Sequence, residues 1–178
     1  MKQIIILGRG GQGAVTSAQV LAIAAFKDGK ASQAFPNFGV ERTGAPVRSY
    51  ARIDDKPITL REQVYEADYA IILDPTLVKN LTEKVTKLII VNSNKQPKEL
   101  GINTNAEVRC IDITKTAIAK IGKPFVNIPA LGAFAALTKE VTLASLELAL
   151  QQQMGSKGTM LEKNTAAIRE VYENSLKK

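Results

Sequence analysis

The sequence predicts an α/β fold in three layers (α/β/α), with a mostly parallel sheet, an antiparallel excursion and a helical C-terminus. Two observations lead to this class: short apolar runs alternate with helical patterns, and the first run leads directly into a glycine-rich turn. The 178 residues show no repeat, no linker and no shift in composition. We therefore expect residues 1–178 to form a single domain.

The first element is a strand at residues 2–7, because β-branched residues dominate that run. A glycine turn follows at residues 8–13, and apolar residues then recur at helical spacing from Ala14 until Gly29 ends the helix. Further strands are predicted at residues 68–73, 87–91 and 106–111, with a short helix from Pro75 to about Val85.

Two stretches depart from this alternation. Residues 47–53 alternate between apolar and polar side chains, which is typical of a half-buried antiparallel strand, and residues 58–60 are predicted to return beside it after a turn. From Asn127 onwards the pattern is helical to the end, with Thr142 as an N-cap and a break at residues 155–158.

The composition excludes several function classes. The chain contains no histidine and one cysteine, so it cannot form a Ser-His-Asp triad, a CxxC pair or a Cys-ligated iron–sulfur cluster by itself. No catalytic residue and no metal ligand is therefore predicted.

The net charge of +7 comes from basic residues scattered among acids, with only 5% aromatics. This pattern favours a solvated basic surface over nucleic-acid binding. Apolar runs are too short to span a membrane and no signal peptide is visible, so we expect a cytoplasmic protein that does not bind membranes.

The glycine turn is the first candidate binding site. Gly8, Gly10 and Gly13 match G-x-G-x-x-G between a strand and a helix, the context of a Rossmann-like fold. Together with Gly11 and Gln12 these residues are candidates for binding phosphate or coenzyme A; the alternative is a purely structural turn. Residues 31–35 lack the ribose-binding acid of a nicotinamide dehydrogenase, and that function is disfavoured.

The segment at residues 35–48 is the second candidate, because it combines aromatic residues, glycines, prolines and adjacent charges in one predicted loop. We expect it to contact another subunit rather than to line a pocket. A loop folded onto its own aromatic residues is the alternative. The predicted contact residues are Phe35, Phe38, Gly39, Glu41, Arg42 and Gly44.

Both segments together, GRGGQGAVTSAQVLA and FPNFGVERTGAPVRSYARI, resemble the gamma subunits of 2-oxoacid:ferredoxin oxidoreductases, with the pyruvate enzyme (pyruvate synthase) as the nearest of them. Residues 74–77, 127–132 and 164–172 share the likeness, so it spans nearly the whole chain.

This resemblance implies a Rossmann-like accessory subunit of a complex that also contains alpha, beta and delta subunits. The complex decarboxylates a 2-oxoacid oxidatively with coenzyme A as substrate, and gives acyl-CoA, carbon dioxide and reduced ferredoxin. Partner subunits hold thiamine diphosphate with Mg and the iron–sulfur clusters, and no cofactor belongs to this chain alone. The alternative function is a stand-alone regulatory module that binds a nucleotide or coenzyme A; copurification with partner chains discriminates between the two.

Overall fold

The fold is a six-stranded mixed sheet with five α-helices in the described residues, which are 1–37, 44–155 and 158–177 of a computed structural model. The strands are β1 (Lys2–Arg9), β2 (Ala31–Pro36), β3 (Pro46–Asp54), β4 (Glu66–Ile72), β5 (Lys84–Asn92) and β6 (Glu107–Ile111). The helices are α1 (Ala14–Lys27), α2 (Ile113–Ile121), α3 (Asn127–Thr138), α4 (Leu143–Met154) and α5 (Thr159–Leu176), with short 3₁₀ helices at Pro75–Asn80 and Pro97–Leu100.

The sheet has the strand order β2-β3-β1-β4-β5-β6. Strands β1, β4, β5 and β6 run parallel, whereas β3 runs antiparallel between β1 and β2. The mostly parallel sheet and its antiparallel excursion are therefore confirmed. The strand β2 was not predicted, because its residues ASQAFP lack a clear apolar alternation and none of them is fully buried.

The predicted return strand at residues 58–60 is wrong, since these residues are coil and β3 pairs with β2 instead. The reason is Arg52, whose side chain is 1% exposed. Its Nη1 donates to the Leu60 carbonyl oxygen at 3.0 Å, and its Nη2 donates to the Glu62 carbonyl oxygen. The carbonyl groups of Leu60 and Glu62 accept hydrogen bonds from the Arg52 guanidinium instead of from the N–H groups of a neighbouring strand. The segment that contains residues 58–60 is therefore coil.

The two faces of the sheet carry unequal layers. Ile4 and Ile6 of β1 point into a core shared with all five α-helices. Ile5 and Leu7 point to the opposite face, which is covered by coil and 3₁₀ segments that contribute Val64, Leu77, Val78, Leu100 and Ile102. The α/β class is confirmed, and its second covering layer contains no α-helix among the described residues.

Several predicted helix signals are confirmed. Thr142 caps α4, since its Oγ1 accepts the Ser145 N–H at 3.1 Å, and the chain leaves helical structure between α4 and α5. The predicted helix from Pro75 is shorter than expected, because it is a 3₁₀ helix that ends at Asn80. Among the described residues, none of the helices combines the length and apolar character that crossing a membrane requires.

Arg52→Met should lower the free energy of unfolding by about 2 kcal/mol, because the carbonyls of Leu60 and Glu62 lose their partly buried donor. The expected result is a lower urea midpoint together with faster chymotrypsin cleavage after Tyr65, whose side chain is 74% exposed. Arg61→Met is the control, since Arg61 is exposed. Equal cleavage rates in both variants would contradict the proposed anchoring of the coil.

Candidate functional site

The candidate site is a cavity of about 500 Å³ at the carboxyl ends of the parallel strands. After β1 the chain continues to β2 and β3 on one side of the sheet, and β4 begins the other side. At such a point, where connections leave the sheet toward opposite edges, the ends of adjacent strands form a crevice, and α/β proteins commonly bind ligands in it. The lining includes Leu73, Asn92, Thr114, residues 124–127 and three residues of the glycine turn: Gly11, Gln12 and Gly13. The other two predicted binding residues, Gly8 and Gly10, belong to the turn but do not line the cavity.

The glycine turn between β1 and α1 is closed by its own hydrogen bonds. Gln12 Oε1 accepts the Arg9 N–H at 2.7 Å, and the Gln12 N–H donates to the Arg9 carbonyl oxygen at 2.9 Å. Gly11 and Gly13 have φ angles of 93° and 79°, a region that side chains disfavour. An added Cβ on Gly8 would lie 3.1 Å from Leu73 Cδ1, so this position is also tight.

Gly13 has a second reason to be glycine. An added Cβ would lie 2.5 Å from Asn127 Nδ2 at the start of α3, so the close approach is to a helix rather than to the strand β1. The Ser17 hydroxyl oxygen lies 3.1 Å from the carbonyl oxygens of both Gly13 and Asn127. The starts of α1 and α3 are therefore held together at the cavity.

The electrostatic character of the cavity follows from these helix starts. Neither α1 nor α3 has a side-chain cap or an acidic residue in its first turn. Uncapped helix N-termini carry partial positive charge and favour anions. The arrangement suits binding of a phosphate or carboxylate group.

The start of α2, by contrast, is fully capped. Asn92 Oδ1 accepts the N–H groups of Ile113 and Thr114, both at 3.1 Å, and Asp112 Oδ1 accepts the Lys115 N–H at 3.0 Å. Asn92 Nδ2 also donates to the Leu73 carbonyl oxygen at 2.9 Å. The buried Asn92 thus fixes the ends of β4 and β5 against α2.

Arg9 connects the glycine turn to its neighbours. Its Nε donates to Asp74 Oδ2 at 2.9 Å, its Nη1 to the Gly44 carbonyl oxygen at 2.9 Å and its Nη2 to Thr76 Oγ1 at 2.7 Å. Gly10 reinforces the link, because its N–H donates to the Ala45 carbonyl oxygen at 2.8 Å. The start of β3 is therefore bound to the glycine turn and to the end of β4.

Asp74 is held in its ionised form. Burial raises the pKa of this carboxyl group, but hydrogen bonds from the Thr76 N–H and hydroxyl, and the Arg9 guanidinium, outweigh burial and lower the pKa below its usual range. A carboxylate held in this way is a structural anchor, and it is a poor proton donor or acceptor near neutral pH.

The predicted contact residues fall in two groups. Phe38, Gly39, Glu41 and Arg42 lie outside the described residues. Phe35 is half-buried on β2, where its ring centroid lies 5.4 Å from that of Tyr50 and the Arg52 guanidinium lies 4.7 Å above it. Gly44 is exposed and is bound to Arg9.

Sequence reasoning missed Arg9 and Asn92. Arg9 occupies an unspecified position of the glycine motif, and Asn92 is the last residue of an apolar run, so neither carries a motif of its own. A polar residue at the end of a buried strand is the signal that favours Asn92.

Among the described residues, no group of three or more potential metal ligands occurs. The site has the chemistry to bind an anion, and no acidic or basic side chain is among the described residues that line the cavity.

A protein-family model described as pyruvate ferredoxin/flavodoxin oxidoreductase matches residues 3–174. The chain is 50% identical over 155 residues to pyruvate synthase subunit PorC of Methanosarcina barkeri, covering 85% of each chain. It is 41% identical to the pyruvate/ketoisovalerate oxidoreductases common subunit gamma of Pyrococcus abyssi, covering 98% of this chain and 97% of the relative.

A crystal structure of pyruvate oxidoreductase subunit PORC from Thermotoga maritima superposes with a TM-score of 0.84 at 33% identity, and 97% of each chain is covered. The fold and the sequence therefore point to the same group of proteins.

Gly13→Ala should destabilise the chain more than Gly11→Ala does. Both variants place a side chain at positive φ, which costs about 1 kcal/mol, but only the Gly13 variant meets another residue, at an added cost of about 1–3 kcal/mol. Urea denaturation measures the difference. Adding Asn127→Ala to the Gly13→Ala variant should recover the part of the stability that the contact with Asn127 costs. If stability is not recovered, the close approach of Gly13 to Asn127 is contradicted.

Asp74→Asn should reduce the pH dependence of stability in acid. Because the native pKa of Asp74 lies below its unfolded value, its stabilisation is fully present above about pH 4 and is lost as pH falls through the native pKa. We expect the variant to be less stable than wild type by about 1 kcal/mol at pH 7, and the gap to shrink in acid. Denaturation at several pH values tests this, with Asp55→Asn as the exposed control.

Proposed function

The chain belongs to the pyruvate ferredoxin/flavodoxin oxidoreductase family, and we propose that it serves as a non-catalytic gamma subunit of the pyruvate enzyme. The observation that carries the proposal is the match of nearly the whole chain to a relative named as a gamma subunit. The proposed reaction is the oxidative decarboxylation of a 2-oxoacid with coenzyme A, which yields acyl-CoA, carbon dioxide and reduced ferredoxin.

The proposed assignment of cofactors to subunits follows from the metal ligands that this chain contains. Iron–sulfur clusters are held mainly by cysteine thiolates, and this chain has one cysteine and no histidine. We assign the clusters to the beta and delta subunits, and thiamine diphosphate with Mg to the alpha and beta subunits. The gamma subunit then completes the assembly without performing redox chemistry.

We propose that the glycine turn borders the path of coenzyme A. Support comes from the cavity of about 500 Å³ beside the turn and from the two uncapped helix N-termini at its wall. Such positive helix ends suit the phosphate groups of coenzyme A. The turn residues proposed for this role are Gly8, Gly10, Gly11, Gln12 and Gly13.

We also propose that the segment between β2 and β3 contacts a neighbouring subunit. Support comes from its anchoring, since Arg9 holds the Gly44 carbonyl and the Asn37 N–H donates to the Arg48 carbonyl oxygen at 3.0 Å. Both ends of the segment are thereby fixed to the sheet, and fixed ends lower the entropy cost of docking.

The test of the proposed function is copurification from a strain that coexpresses the neighbouring subunit genes. A tagged copy should retain alpha, beta and delta chains in stoichiometric amounts, and the complex should reduce a viologen dye with pyruvate and coenzyme A. The isolated chain should give no pyruvate-dependent reduction.

Two results would contradict the subunit proposal. One is turnover by the pure isolated chain. The other is a tagged chain that purifies alone while pyruvate oxidation remains with the other subunits, which would favour a stand-alone binding module.

A further inference from the structure

A second cleft, of about 640 Å³, adjoins the cavity and shares Asn92 and Thr114 with it. It lies between the 3₁₀ helix Pro75–Asn80, the residues after β5 and the start of α2. Each of these elements contributes one exposed lysine to the lining: Lys79, Lys95 and Lys115. Three cationic groups from separate parts of the sequence therefore meet at one place. We name this feature the lysine cleft.

The acids that line the lysine cleft are already bonded to backbone amides. Glu99 Oε2 accepts the Gln96 N–H at 2.7 Å, and Asp112 Oδ1 accepts the Lys115 N–H at 3.0 Å. Within the described part of the chain, none of the three lysines forms an ion pair, whereas Lys30, Lys84 and Lys120 do. The ammonium groups of the cleft are therefore free for an external anion.

Backbone N–H groups at two helix starts of the lysine cleft are already used within the described part of the chain. The first N–H groups of α2 donate to Asn92 and Asp112, and the Gln96 N–H at the start of the second 3₁₀ helix donates to Glu99. A phosphate cradle depends on fixed backbone donors close to the anion, as the helix starts of the neighbouring cavity offer. The lysine cleft has long, mobile side chains instead, which suit carboxylates spaced along a segment of protein.

The floor of the lysine cleft is apolar. Ile118 of α2 lies there with 53% of its surface exposed, and Val78 and Leu100 line the same cleft. An apolar centre with a charged rim is the usual anatomy of a protein–protein interface. An apolar floor with lysines around it fits a ligand segment in which an apolar side chain is flanked by Asp or Glu.

We propose that the lysine cleft docks an acidic segment of a partner subunit, which seats an apolar residue on Ile118 and places carboxylates beside Lys79, Lys95 and Lys115. This proposal rests on the proposed function, because it requires a complex. The choice of partner comes from charge complementarity between free ammonium groups and carboxylates.

A groove on the helical side of the molecule serves as contrast. It is larger, at about 770 Å³, but its two basic side chains are already paired: Arg169 bonds Glu147 at 2.5 Å and Lys120 bonds Glu170 at 2.8 Å. The acids Glu162 and Glu173 also line this groove. Among its described lining residues that groove offers no unpaired cation, so the lysine cleft is the better docking surface for carboxylates.

The first experiment compares lysine acetylation by an amine-reactive reagent in the isolated chain and in the purified complex. We expect Lys79, Lys95 and Lys115 to be protected at least about fivefold in the complex, whereas Lys56 and Lys163 stay reactive. A zero-length carbodiimide cross-linker should then join at least one cleft lysine to an Asp or Glu of another subunit. Unchanged reactivity of all three lysines on assembly would overturn the proposal.

The second experiment is the charge reversal K79E/K95E/K115E, compared with K56E/K163E/K177E, which changes the net charge equally at exposed positions elsewhere. Circular dichroism melts first establish that both variants fold; if the cleft variant does not, K79Q/K95Q/K115Q replaces it. The cleft variant should bind the remaining subunits at least about tenfold more weakly, because like charges then face each other, and the control should assemble normally. Added salt should weaken assembly of the wild type.

The outcomes separate the two proposals. If the wild-type chain fails to assemble, the proposed function itself fails. If the wild type and the cleft variant assemble equally well, the docking proposal fails while the proposed function stands. If the cleft variant assembles normally but its complex has a raised KM for coenzyme A, the lysine cleft is a site for a phosphorylated ligand. That result would overturn the proposal that the cleft docks a protein segment.

Discussion

The ion pair between Arg9 and Asp74 is the interaction on which the arrangement of the carboxyl edge depends. One guanidinium holds the glycine turn, the start of β3 and the 3₁₀ helix that follows β4. These segments are far apart in sequence. The pairing of β1 with β3 and the hydrogen bond from the Gly10 N–H to the Ala45 carbonyl oxygen support the same arrangement. Both partners are partly shielded from solvent, so the pair is less exposed to screening by salt than a surface pair is.

Polar groups at this edge are used mainly for structure. Asp74 and Asp112 accept backbone N–H groups, and the Asn92 amide links β4, β5 and α2. The carboxylates of Asp74 and Asp112 are thus engaged by the fold, whereas the starts of α1 and α3 at the same edge have no side-chain cap. The positive helix ends that remain there favour binding of an anion.

Local signals explain which elements could be predicted from the sequence. The strand, glycine turn and helix at residues 2–27 follow from short-range rules, and so does the N-cap at Thr142. Strand β2 could not be found in this way, because its pairing with β3 is set by the tertiary fold rather than by its own pattern. The coil at residues 58–60 depends likewise on Arg52, a contact that no local rule describes.

The unequal covering of the sheet connects these observations to assembly. All five described α-helices lie on one face, so short coil and 3₁₀ segments must exclude water from the other. Phe35, at the base of the proposed contact segment, packs on this thinner face, and so do Val78 and Leu100 of the lysine cleft. Parallel strands are usually covered on both faces. Phe35 and part of the lysine cleft thus lie where this chain supplies the least cover of its own, and a neighbouring subunit there would complete the layer that an isolated α/β domain ordinarily builds from its own helices.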